Sequence, residues 1–206
     1  MMKKTALCLL LSAVLLALLP GCAPLNTDGL ADAAPDLIRR SQTLNEIYYG
    51  SGIPYDENGT PTGNYYPADK DYLAKVGFST LDGLDAETEA VFSAAYCEAI
   101  RNATGGAASE GIYARYISSQ AEGRRDERET ILVYKNDVRN PLPTVRFDFS
   151  ALTITEVGRD YACVTLPIET DYPPDDTHPD PYTEKSDMTV RFVYEGGGWR
   201  IDTPTY

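Results

Sequence analysis

The chain has 206 residues, 43% of them hydrophobic, and carries 31 acidic residues against 18 basic ones for a formal net charge of −13. That length suits one domain with a real core. Charge of this sign is repelled by phosphate backbones and anionic lipid, which excludes nucleic-acid binding and favours basic partner surfaces or metal cations.

In chain order, the first feature is a basic start at Lys3 and Lys4, followed by an almost unbroken apolar run from Ala6 to Leu19. The run is about 14 residues, short of the roughly 20 that span a bilayer, so it reads as a cleaved secretory signal. It ends in Leu19-Pro20-Gly21-Cys22, which resembles the lipobox of bacterial lipoproteins. The resemblance implies removal of residues 1–21, acylation of Cys22, and anchoring through that lipid to the extracytoplasmic face of the bacterial cell membrane. The mature chain would then hold 185 residues at a formal charge of −15, since the leader takes two lysines and no acid with it. Small, polar, Pro-bearing sequence from Ala23 to Ala34 gives a flexible tether over 22–34, leaving 35–206 as a single α+β domain.

Within that domain, Leu37, Ser41, Leu44 and Tyr48 share one face of a helix that opens at Pro35 and stops at Gly50. Ser51 to Asp71 is rich in Gly, Pro, Asn and Tyr, with a turn signal at Asn58-Gly59. Tyr65-Tyr66 and Tyr72 to Gly77 read as short strands. A second helix capped by Asp85 carries the stripe Thr88, Val91, Phe92, Ala95, Ala99 and Ile100 and ends at Gly105-Gly106. From Gly111 the period changes to two, with strands expected over 112–118, 130–135, 144–149, 151–157, 161–168, 187–195 and 199–203. Alternation at Ala162, Val164, Leu166 and Ile168, and at Met188, Val190, Phe192 and Tyr194, means one buried and one wet face, which is antiparallel sheet. The expected fold is two N-terminal helices on one face of a curved, mostly antiparallel sheet of about six strands.

Chemistry is sparse. No Gly-x-Ser-x-Gly elbow, P-loop or His-Glu-x-x-His is present, and neither catalytic residue, cofactor nor metal site is expected. The one histidine, His178, sits among prolines and aspartates, a poor setting for a base that must be held against a nucleophile such as Cys97. The acidic segment 169–187, with Asp171, Asp175, Asp176, Asp180 and Glu184, offers oxygen ligands for calcium but reads better as a solvated hairpin insertion. Once Cys8 leaves with the signal and Cys22 is acylated, Cys97 and Cys163 remain. An exported pair can bridge, but their apolar flanks favour two buried free thiols. Tyrosine is over-used, 15 against five Phe and one Trp, and Tyr49, Tyr55, Tyr65 and Tyr66 crowd the region after the first helix. Tyrosine gives large contact area at low entropy cost, so these four, with Asp175, Asp176 and Asp180, are the candidate partner contacts.

Two resemblances follow from this layout. The ending from Met188 through Gly196-Gly-Gly198 to Asp202 resembles the terminal hairpin of nuclear-transport-factor-2-like domains, which implies a pocket that binds or converts a small ligand. The longer series comprises Ile47-Tyr48-Tyr49, a Tyr-rich turn, Tyr65-Tyr66, Phe92 to Tyr96, Gly111-Ile-Tyr113 and Gly198-Trp-Arg-Ile201. It is similar to the secreted bacillar inhibitors of peptidoglycan DL-endopeptidases and their lipoprotein relatives. That implies a non-catalytic protein that blocks a cell-wall hydrolase of the NlpC/P60 type.

Overall fold

The computed structural model describes residues 25–104, 115–119, 129–136, 139–174 and 177–206; Cys22, Asp175 and Asp176 lie outside them. The fold is α+β with antiparallel sheet, as the change of period implies. Helix α1 spans Leu30–Tyr48 and buries Leu30, Ala34, Leu37, Ile38, Ser41, Leu44, Asn45 and Ile47, a stripe at helical spacing. It begins five residues before Pro35. Leu30 and Ala34 are both fully buried, so 30–34 belong to the packed domain and not to a tether. Their burial outweighs the single backbone bond that Pro35 forfeits inside the helix.

The exit of α1 is closed by cations. The buried Arg115 guanidinium donates to the carbonyls of Ile47 (2.8 Å) and Gly50 (2.7 Å), Tyr116 Oη donates to Ile47 (2.8 Å), and Arg139 reaches Tyr48. Orphan carbonyls at the negative end of the helix dipole are thereby paired with positive groups.

Strand β1 is Tyr65–Pro67, and the segment expected as the next strand is instead helix α2, Lys70–Val76. Asp69 accepts from Tyr72 N–H at 2.8 Å to start it, and Gly77, at φ 86°, stops it in the left-handed region. The expected second helix is two helices, α3 (Leu81–Val91) and α4 (Ala94–Thr104). Thr80, not Asp85, caps α3, accepting from Gly83 N–H at 3.0 Å. Phe92 leaves the helix in extended conformation to bridge Ile201, Ser93 N–H donates to Ile201 C=O at 2.8 Å, and Ser93 Oγ caps α4 by accepting from Tyr96 N–H at 3.0 Å. The break turns the stripe: Cys97 and Ile100 are buried while Ala95 and Ala99 face solvent.

Among the described residues the strands form two antiparallel sheets, where a single sheet was expected. The smaller has the order β1-β3-β2, with β2 Tyr116–Ser118 and β3 Ile131–Tyr134. The larger runs β4-β6-β7-β8 (Thr144–Phe147, Tyr161–Tyr172, Tyr182–Glu195, Gly198–Ile201), and β5, Thr153–Val157, pairs β6 on the same side as β4. The β6–β7 ladder continues to Tyr172 opposite Tyr182, so most of the acidic segment 169–187, expected as a solvated hairpin insertion, is paired strand. Its charges alternate on the wet face and pair there: Arg146 with Asp171 and Glu169, and Lys185 with Glu169 at 2.7 Å. Ala162, Val164, Leu166, Val190, Phe192 and Ile201 of this sheet meet α1 and Phe92 in one core. Cys97 and Cys163 are both buried free thiols, and burial pushes both up from the ordinary thiol pKa.

Candidate functional site

Three surface features carry chemistry. The first lies on the small sheet. Successive residues of β1 point to opposite faces, and the two tyrosines there find different partners. Tyr65 meets its cross-strand neighbour Tyr134, with ring centroids 5.2 Å apart. Tyr66 meets Tyr55 at 5.4 Å, and the Lys135 ammonium stands 4.9 Å over its ring. All four tyrosines are half-buried, so each keeps some surface exposed to solvent. The loop before β1 holds Tyr55 in place through a bridge to Ala68 and a bond from Asp56 N–H to Pro67 C=O at 2.8 Å.

Tyr49 does not join this group. It follows α1, where its ring stacks on Tyr206 at 4.9 Å, and burial together with Tyr206 pushes its phenol up to about 12. Burial, with Tyr49 and Tyr206 nearby, raises Tyr96 as well. Beside them, Gln42, Asn45, Glu46, Tyr72, Lys75, Leu142, Val145 and Thr205 line a cleft of about 340 Å³, within the lower range of ligand sites. Asn45 lines the cleft but is buried; its Nδ2 donates to Thr205 Oγ1 at 2.8 Å, and its buried Oδ1 has no protein partner. Glu46 is occupied, since its carboxylate accepts from the backbone N–H groups of Ser51 and Leu142.

The third feature is the far end of the β6–β7 hairpin. Tyr172 stacks on Tyr182 at 5.0 Å and His178 lies 4.3 Å from the same ring, with Asp180 exposed beside them. His178 thus sits on a hairpin tip, on a different element from Cys97 of α4. Among the described residues no group of His, Cys, Asp and Glu is placed to hold a metal.

The candidate contacts therefore divide among three places: Tyr55, Tyr65 and Tyr66 at the small sheet, Tyr49 stacked on the cleft residue Tyr206, and Asp180 on the hairpin tip. The residues missed in the sequence are Tyr134 and Lys135, which complete the tyrosine pairs, Tyr172 and Tyr182 at the tip, and Asn45 in the cleft. Asn45 did fall on the buried stripe of α1, where a polar residue is itself a signal. The others acquire meaning only from cross-strand register. No protein-family model matches the chain, and no curated protein matches it either.

Proposed function

We propose that this chain is a non-catalytic lipoprotein, anchored by lipid on Cys22 at the extracytoplasmic face of a bacterial membrane, that binds another protein of the cell envelope. The more specific form of the reading is inhibition of a peptidoglycan DL-endopeptidase. In this reading α1 and α3 form a backing layer on one face of the larger sheet, and the small sheet presents the contact. The observation that carries it is the paired tyrosine surface: Tyr55 with Tyr66 under Lys135, and Tyr65 with Tyr134. Rings already locked against one another lose little entropy on binding, and aromatic anchors supply most of the energy at protein interfaces. The net charge steers the domain toward a basic partner face.

The test is to titrate the purified protein into an NlpC/P60-type hydrolase digesting peptidoglycan. Inhibition should weaken with salt, because the Debye length shrinks from about 10 Å at 0.1 M to about 3 Å at 1 M, and should be lost on Tyr55→Ala or Tyr66→Ala. Absence of inhibition at tens of micromolar, about 6–7 kcal/mol of binding, would turn attention to a second reading. That reading is a pocketed domain of nuclear-transport-factor-2-like type, and it is favoured by one observation, a cleft whose lining residue Asn45 keeps a buried Oδ1 without a protein partner.

A further inference from the structure

We infer that the turn end of the larger sheet, made of the β5–β6 and β7–β8 turns, is a lipid-facing surface on which the domain rests against the bilayer; this rests on the reading of Cys22 as the acylated residue. The argument starts from how soon the chain is pinned after that cysteine. Leu25 N–H donates to the Gly158 carbonyl in the β5–β6 turn at 3.2 Å, and the Leu25 side chain packs against the core. The Asp28 carbonyl then accepts from Trp199 Nε1 on β8 at 3.3 Å, and α1 begins at Leu30. Cys22 and Leu25 are three Cα steps apart, which covalent geometry limits to about 11 Å. An acyl chain on Cys22 therefore holds Gly158 within one short reach of the membrane surface. No free spacer remains to lift the domain away.

The surface at that end fits the contact. Four large hydrophobic residues are exposed among the described residues, and three of them belong here: Val157 (41%) at the β5–β6 turn, Tyr194 (52%) at the β7–β8 turn, and Ile154 (37%) farther along β5. A single exposed apolar residue carries no message; two at the end where the anchor must lie, with Ile154 extending the strip along β5, do. Tyr194 is suited to a boundary that is apolar on one side and wet on the other, and its hydroxyl is turned back to the Gly197 carbonyl at 3.1 Å. The charges at this end, Asp28, Glu156, Asp160 and Glu195 with Arg159 and Arg200, are mixed in sign, so apolar contact and the tether hold the surface down.

The opposite end of the same strands completes the picture. β6 runs 12 residues from Tyr161 at the turn end to Tyr172, about 36 Å at strand rise. That places Asp171, Asp180 and Glu184 several Debye lengths from the lipid, where an acidic chain is repelled least. The stacked Tyr172 and Tyr182 of the hairpin tip are thereby presented outward.

The experiment uses the full lipidated protein in phosphatidylcholine vesicles with brominated acyl chains, carrying Tyr194→Trp or, at the far end, Tyr182→Trp. The buried native Trp199 gives the background, subtracted with the unsubstituted protein. An aromatic seated about 5–10 Å into the headgroup–acyl boundary is within reach of the bromines, so Tyr194→Trp fluorescence should be strongly quenched and Tyr182→Trp fluorescence unchanged. Equal quenching of both, or of neither, overturns the inference. Incorporation of labelled palmitate into the protein but not into Cys22→Ala separates the two claims: failure of labelling removes the anchor itself, whereas labelling without differential quenching removes only the orientation. Amide exchange on the unsubstituted protein gives a second readout free of the tryptophan variants. Residues 157–160 and 194–197 should exchange more slowly on vesicles than in the Cys22→Ala protein in solution; equal rates also overturn the inference.

Discussion

Phe92→Ala and Ala95→Glu together test the break between α3 and α4. Phe92 is 1% exposed, bridges Ile201, and sets its ring edge-on to Tyr96 at a centroid distance of 5.0 Å. Truncating a buried phenylalanine costs about 3–5 kcal/mol, and losing the edge-to-face contact places this site in the upper part of that range. With a urea m-value of about 2–3 kcal/mol/M, the midpoint should fall by about 1.5–2 M. Three residues on, Ala95 is exposed, so Ala95→Glu should change stability by no more than about 0.5 kcal/mol. One uninterrupted helix would put both residues on the same buried stripe. Equilibrium urea unfolding followed by far-UV circular dichroism measures both. A loss below about 1 kcal/mol for Phe92→Ala would refute its burial against Ile201, and a loss above about 2 kcal/mol for Ala95→Glu would refute the broken geometry.

Arg115→Met removes the fork that pairs with the Ile47 and Gly50 carbonyls and should cost about 2–4 kcal/mol after the relief of burying a cation; Arg115→Lys should recover less than half, because an ammonium cannot span both carbonyls. Urea midpoints check both, and a change within about 0.5 kcal/mol for Arg115→Met would refute the capping role. Alkaline pH should unfold the domain. The Tyr49 phenol is held up at about 12 by burial and by Tyr206, above its unfolded value of about 10, so the folded state favours the neutral form. That stability is complete below pH 10 and is lost as pH rises through the folded value. Thermal midpoints measured from pH 9 to 12 should fall, and Tyr49→Phe should flatten the fall; an unchanged slope in that variant would count against the assignment.

Much of the architecture was legible because it is written in local periods. The α1 stripe, the alternation of β6 and β7 and the Gly196-Gly197 turn, with both residues at positive φ, depend on neighbours within a few residues, where side-chain direction follows backbone geometry. The same logic explains the errors. Tyr72 to Gly77 looked extended because the decisive groups, the Asp69 cap and the Gly77 stop, lie at its ends. The early start of α1 was hidden by Pro35, a strong local signal overruled by burial of Leu30 and Ala34.

What no period could reveal depends on residues far apart in the chain. The helix break at Phe92 exists because Ile201, more than a hundred residues later, offers Phe92 a bridge and Ser93 N–H an acceptor. The cluster of tyrosines was visible as composition, but its division between Tyr134 on one face and Tyr55 with Lys135 on the other came from the β1–β3 register. The acidic segment is legible in the sequence only as a charged hairpin insertion; that Arg146 and Lys185 pair its carboxylates follows from the strand register. Sequence alone determined which residues seek burial and at what spacing. Only the tertiary structure decided where backbone and charge find their distant partners, because those partners become neighbours only once the chain has closed on itself.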